Sequence, residues 1–171
     1  PALSMRLVAE ERRRGTWEIL TTLPLRNFEI VMAKFFALWV TGLFFLAPTV
    51  IYAFTISSLG PLDPGPVIGG YIGTIFLMAA YGAIGIFASS IARNETVALI
   101  VGLVIALFLA LLDTFMMLIP TSLLPFFEYI SIGQHFSDFS KGLLDSRSLV
   151  YLISLTAGFL MLTLYRLNRQ R

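Results

Sequence analysis

Long uncharged runs alternate with short polar ones along this chain, and the runs are longer than a soluble core requires. Phe35 to Ile56 contains no Asp, Glu, Lys or Arg, and neither does Val67 to Ala92. Thr96 to Ile119 is interrupted only by Asp113, and Leu149 to Tyr165 is again uncharged. A bilayer core about 30 Å thick is crossed by roughly 20 apolar residues in helical conformation. The pattern therefore predicts an all-α polytopic membrane protein with four transmembrane helices, over 30–58, 67–92, 96–119 and 148–165. The first is expected to begin near Asn27, which can cap a helix that carries Glu29 in its first turn.

The connections differ in kind. Ser57 to Pro66, "SSLGPLDPGP", reads as a turn-rich loop. The segment 120–147 opens with "PTSLLPFFEYISIGQHF", too apolar for a free loop and too broken by proline and glycine for a span. It predicts an interfacial or re-entrant helix, followed by the more polar "SDFSKGLLDSR". Arg93-Asn94-Glu95 is a tight polar turn between the second and third spans. Along the second span, Gly69, Gly73, Gly82, Gly85 and Ser89 recur as small residues that let helix backbones approach closely in lipid.

Composition agrees with a membrane setting. Charged residues make up 13% of the 171 residues, about half the roughly 25% of a soluble domain. Ten of the twelve Lys and Arg residues fall on one side of the four-span scheme: Arg6, Arg12, Arg13, Arg14, Arg26, Lys34, Arg93, Arg166, Arg169 and Arg171. Lys141 and Arg147 fall on the other. By the positive-inside rule both termini are expected in the cytoplasm.

Chemistry is excluded more readily than assigned. Without cysteine there are no disulfides and no thiolate metal sites, and one histidine, His135, cannot make a multi-histidine metal centre. No metal and no cofactor is expected. There is no Gly-x-x-x-x-Gly-Lys-Ser/Thr phosphate loop and no nucleophile–base set, so the chain is not expected to hydrolyse ATP. The basic residues border spans instead of forming a soluble face, which argues against nucleic-acid binding. Asp113 is a carboxylate within a span, a functional candidate by default unless it reaches the interface from near the helix end. His135 has no companion ligand nearby and reads as structural or interfacial.

The one dense charge cluster is "EERRRGTWEIL", Glu10 to Leu20. Glu10 and Glu11 lie toward the front of a short helix and Arg12, Arg13 and Arg14 in its last turn, the order the helix dipole favours. Gly15 suits a left-handed terminating residue, and Thr16 can cap a second, amphipathic helix with Glu18 in its first turn. Trp17 and Leu20 would share a face, and Pro24 ends the run. The segment 4–29 is thus either a basic anchor on anionic lipid or a docking element for a soluble partner.

The opening "PALSMRLVAEERRRGTWEILTTLPLRNFEIVMAKF" resembles the signature of ABC-2 type transporter permeases, nearest to the gliding-motility and nitrous-oxide-accessory kind. Met5-Arg6, Glu10-Glu11, Gly15-Thr16, Glu18, Leu20, Thr22, Pro24, Glu29-Ile30 and Ala33-Lys34 carry the resemblance. "GAIGIFASSIARNETVA" and "ISIGQHFSDFSKGLLDSRSLVYLISLTAGFLMLT" extend it, with Asn94-Glu95 where such proteins often have Asn-Gln. The resemblance implies a six-span permease of the bacterial inner membrane, of which this chain would start at the inner end of the second span. It further implies that segment 4–29 couples to a separate ABC ATP-binding subunit and that two permease subunits assemble as a homo- or heterodimer. Arg93, Asn94 and Glu95 are candidates for a second cytoplasmic contact. Export of an unidentified substrate is the expected function. A non-transporting membrane scaffold and a passive channel are the alternatives.

Overall fold

The computed structural model describes residues 2–13, 26–61, 63–92, 94–115, 124–143 and 145–169. The described residues form helices and no strand. A short helix, α1 (Arg6–Arg13), precedes α2 (Asn27–Leu46), which passes through a 3-10 turn (Ala47–Thr49) into α3 (Val50–Leu59). Then come α4 (Pro64–Ile91), α5 (Glu95–Phe115), the short α6 (Leu124–Ile130) and α7 (Ile132–Ser140), and α8 (Ser146–Asn168). Among the described residues, four segments are long and apolar enough to cross a membrane: Asn27–Leu59, Pro64–Ile91, Glu95–Leu112 and Ser146–Asn168.

Helix ends follow local chemistry. The first span is capped by Arg26, not Asn27: Glu29 Oε2 reaches back to accept from the Arg26 N–H at 3.0 Å. Asn27 is instead the first helical residue, and its amide donates to Asn168 Oδ1 at 2.6 Å. The loop expected over 57–66 is shorter in the structure, because α3 runs to Leu59 and α4 starts at Pro64. Pro64 sits at the first helical position and Asp63 Oδ1 accepts from the Gly65 N–H at 3.0 Å, a favourable helix start on both counts. Asp145 starts α8 in the same way, accepting from Arg147 N at 2.9 Å.

Pro48 breaks the first span. It lacks the N–H that would continue the helical ladder, and the chain tightens into a 3-10 turn there. Thr49 Oγ1 donates to the Leu46 carbonyl at 2.7 Å and lies 3.1 Å from the Tyr71 hydroxyl. Beyond this point α3 buries no residue.

Helix α4 is the hub, packing against α1, α2, α5, α7 and α8. Its buried face is mostly small: Gly69, Gly73, Ala79, Ala80, Gly82, Ala83, Gly85, Ala88, Ser89 and Ser90. Without a solvophobic force between helices in lipid, such a face gains stability through close van der Waals packing. One cluster toward the α6–α7 end joins Ala80, Ile84, Leu109, Leu112, Ile132, Phe139, Tyr151 and Leu152. A second, toward the α1 end, joins Val31, Phe35, Ala79, Ala83, Ile86, Leu160 and Leu167.

Over its described residues, the segment expected as an interfacial or re-entrant helix forms two short helices, α6 and α7. Phe139 of α7 is fully buried, seated against Gly69 and Gly73 of α4. Two glycines one turn apart make the notch that admits the ring, so α7 is drawn in among the long helices.

Candidate functional site

The charged cluster that the sequence singles out begins on α1, and the structure shows how α1 is fixed. Eight residues are too few for a stable isolated helix, so tertiary contacts must hold it. Three of the long segments supply them. Ser89, fully buried on α4, accepts from the backbone N–H of Val8 at 3.1 Å and of Ala9 at 3.0 Å, and donates to the Met5 carbonyl at 3.0 Å. The Val8 N–H belongs to the first turn, where a helix has no carbonyl of its own to bond. Ser89 therefore acts as an N-terminal cap supplied by another helix. Lys34 on α2 donates to the Leu7 carbonyl and pairs with Glu11 Oε1 at 2.5 Å. Arg6 pairs with Glu95 Oε2 at the start of α5 at 3.2 Å. Val8 and Ala9 are wholly buried, and Ala9 packs with Ala92 and Ala98.

The same end of the bundle is closed by the Asn27–Asn168 hydrogen bond between the start of α2 and the end of α8. Asn94 Oδ1 accepts from Val97 N at 2.8 Å and so caps α5. Of the suggested second contact, then, Asn94 serves as a cap and Glu95 meets Arg6. Arg93 lies outside the described residues.

Glu10 and Glu11 lie on α1, and Arg12 and Arg13 complete it, though their side chains are outside the described set. Arg14, Gly15, Thr16, Trp17, Glu18, Leu20 and Pro24 all lie outside the described residues, as does the second short helix expected there. Asp113 falls in the last turn of α5, with its side chain likewise outside the described set. Gly69, Gly73 and Gly82 are close-approach points: a Cβ there would lie 2.4 Å from the Phe139 carbonyl oxygen, 2.7 Å from Phe139 Cβ and 2.6 Å from Leu38 Cδ2, respectively. Gly85 is buried on the same helix. Ser89 differs from these, because its hydroxyl makes the contacts that matter.

Lys34 appears in the sequence as one of the basic residues before a span and as part of the Ala33-Lys34 pair in the resemblance, but its role in fastening α1 is not readable there. Its proximity to Glu11 follows from α1 folding back, which no spacing rule reveals. Removing the Lys34 charge leaves Glu11 facing the bundle without this cation. Lys34→Met should therefore loosen α1 and speed tryptic cleavage after Arg12 and Arg13 several-fold. The pair replacement Lys34→Met with Glu11→Gln should be milder than Lys34→Met alone, because removing one member of an ion pair costs more than replacing both. Time-resolved proteolysis with mass spectrometry checks both.

A sequence model described as "ABC-2 family transporter protein" matches residues 2–171. The chain belongs to the ABC-2 transporter family, whose permeases are transmembrane subunits and not themselves catalytic. With its four apolar helices it is a multi-pass membrane protein of the cell membrane. No curated protein and no solved structure matches it.

Proposed function

We propose that the protein is the permease subunit of an ABC exporter, driven by ATP hydrolysed on a separate subunit that docks on segment 4–29. The observation that carries this reading is the three-way fastening of α1. A helix bonded to α4 through Ser89, to α2 through Lys34 and to α5 through Glu95 can pass a push from a cytoplasmic partner to three long helices at once. A lipid anchor needs no such fastening, which favours the docking reading over the anchor. The permease is proposed to act as a dimer. Family membership supports an ATP-binding partner as a class. The narrower likeness to gliding-motility and nitrous-oxide-accessory permeases rests on the motif alone.

This reading puts both termini in the cytoplasm, as the ten-to-two distribution of basic residues requires. Membrane-impermeant thiol labelling of single cysteines in intact cells tests it. Cysteines at Ser58 and Ser146, both exposed, should label from outside, while cysteines at Leu3 and Arg169, also exposed, should label only after permeabilisation. Ser4 is unsuitable as a reporter because it is fully buried and would stay silent on either side. Outside labelling at Leu3 would overturn the orientation and the docking role with it. Transport itself is tested by co-purification with the ATP-binding subunit and by flux into vesicles. Flux without ATP would mark a channel, and partner binding without flux would mark a scaffold.

A further inference from the structure

At the end of the bundle opposite α1, two cavities meet at Tyr129, which lines both. The first, about 640 Å³, is a polar mouth lined by Glu128 of α6 and Arg147 of α8, both exposed, together with His135 and Ser146. The second, about 630 Å³, is a mainly apolar groove. It runs down the fourth span from Tyr129 and Tyr151 past Ser154, Gly158 and Leu162 to Tyr165. Each has the size of a small-molecule site, roughly 300–1,000 Å³.

The wall between mouth and groove is firmly built. His135 Nδ1 lies 3.0 Å from Ser148 Oγ, which also donates to Asp138 Oδ2 at 3.3 Å, and His135 Nε2 lies 3.2 Å from the Tyr129 carbonyl oxygen. The imidazole stacks on the Tyr151 ring with centroids 4.2 Å apart, and Tyr129 meets both rings edge-on. The Tyr151 hydroxyl donates to the Ile130 carbonyl, tying α6 to α8 once more. In the groove, the Ser154 hydroxyl donates to the Tyr151 carbonyl of its own helix at 2.8 Å. The charges that line the mouth are thus Glu128 and Arg147. Among the described residues no ion pair joins them to each other or to a third residue. Two opposite charges around one cavity match a ligand that carries both signs.

The groove fixes the rest of that ligand. From Tyr151 to Tyr165 it follows α8 for about 21 Å at 1.5 Å per residue. That is long enough to seat an acyl chain over the depth of one leaflet, half of a core about 30 Å thick. Gly158 lies midway. At Gly69, Gly73 and Gly82 a neighbour within the chain occupies the space over the glycine, whereas a Cβ at Gly158 would meet nothing within 4 Å. Small residues in lipid let another surface approach closely, and among the described residues nothing approaches here. A helix of a second copy could lie over Ser154 and Gly158, but an apolar helix brings nothing to match the two charges at the mouth.

We propose that mouth and groove together bind one zwitterionic phospholipid. Its phosphate meets the Arg147 guanidinium, whose planar fork suits phosphate oxygens. Its ammonium donates to the Glu128 carboxylate, and one acyl chain lies along α8 over Gly158. The site needs only the membrane setting of the chain and is independent of any partner on segment 4–29.

Native mass spectrometry of the purified protein in detergent tests this, with phosphatidylethanolamine or phosphatidylglycerol of matched acyl chains added at equal concentration. The two lipids share phosphate and tails, and only the first carries the ammonium. The unaltered protein should retain phosphatidylethanolamine several-fold more than phosphatidylglycerol, a modest factor because exposed charge pairs contribute little each. Glu128→Gln should erase that preference, and Arg147→Gln should weaken retention of both lipids. Gly158→Leu fills the groove without a clash and should lower phosphatidylethanolamine retention several-fold. Val104→Phe, exposed on α5 and outside both cavities, should retain lipid like the unaltered protein. Equal retention of the two lipids by the unaltered protein, or a preference that survives Glu128→Gln, would overturn the headgroup site. A Gly158→Leu variant that keeps its lipid, or that splits a dimer while lipid retention stays the same, would overturn the acyl groove. Should Gly158→Leu fail to fold, Glu128→Gln at the exposed mouth still decides.

Discussion

Ser89→Ala is expected to uncouple the permease from its ATP-binding partner while leaving the four spans folded. Alanine removes the acceptor for the Val8 and Ala9 N–H groups and the donor to the Met5 carbonyl, all buried against α4. Loss of a capping acceptor costs about 1–2 kcal/mol, and a buried donor left unsatisfied costs roughly 1–3 kcal/mol. A helix of eight residues has little intrinsic stability with which to absorb that loss. The α1 helix should detach, and partner affinity should fall about tenfold or more, since each 1.4 kcal/mol is a factor of ten. Residual ATP turnover should no longer drive flux. Ser90→Ala is the matched control. Ser90 is equally buried and adjacent, but its hydroxyl donates only to the Phe87 carbonyl of its own helix, at 2.7 Å. Affinity and coupling measured for both variants at equal membrane expression separate the cap from mere burial.

Gly69→Val should do the reverse, damaging the fold itself. A Cβ at position 69 would lie 2.4 Å from the Phe139 carbonyl oxygen and 3.1 Å from Gly142 Cα. These are backbone atoms, so no side-chain rotation relieves the clash. The contact is part of a wider backbone-on-backbone approach, because a Cβ at Gly142 would lie 2.7 Å from the Gly65 carbonyl carbon, and Gly142 has φ +78°. The variant must lift α7 away from α4 and draw Phe139 out of its notch. Overpacking of a close contact costs roughly 1–3 kcal/mol, and in a protein of this size that lowers the melting temperature by roughly 2–12 °C in detergent. Gly70→Val, one residue along, has nothing within 4 Å of its Cβ and should melt like the unaltered protein. Gly82→Val should fall between them, because the neighbour there is the flexible end of Leu38.

Architecture is legible where physics acts over many residues. Four long apolar runs and a lopsided distribution of basic residues are additive signals, and the all-α membrane class follows from them. The small-residue stripe on the second span is readable too, but only as packing. That Gly69 and Gly73 form a socket for Phe139 depends on a contact between residues about 70 positions apart. No periodicity encodes such a contact. The break at Pro48 is open to reading from sequence, since proline inside an apolar run removes a helical hydrogen bond. Hydropathy alone passes straight through it, so the first span reads as one continuous helix. The candidate site is half visible. The cluster Glu10 to Leu20 stands out by charge, whereas its fastening uses Ser89 and Lys34, residues whose roles exist only once α1 folds back on the bundle. His135 looks isolated in sequence because its partners, Ser148, Asp138 and the Tyr129 carbonyl, are gathered from three different helices.

The central claim is that segment 4–29 is where an ATP-binding subunit docks, and site-specific photo-crosslinking tests it most directly. A photoreactive amino acid replaces Trp17 in one variant and Gly60, exposed at the far end of the bundle, in another. Both are irradiated in cells and the adducts sequenced. The expected result is an adduct from position 17 containing a protein with the Gly-x-x-x-x-Gly-Lys-Ser/Thr phosphate loop, and none from position 60. Lipid adducts alone at position 17, or the same ATP-binding protein captured from both positions, would contradict the docking role.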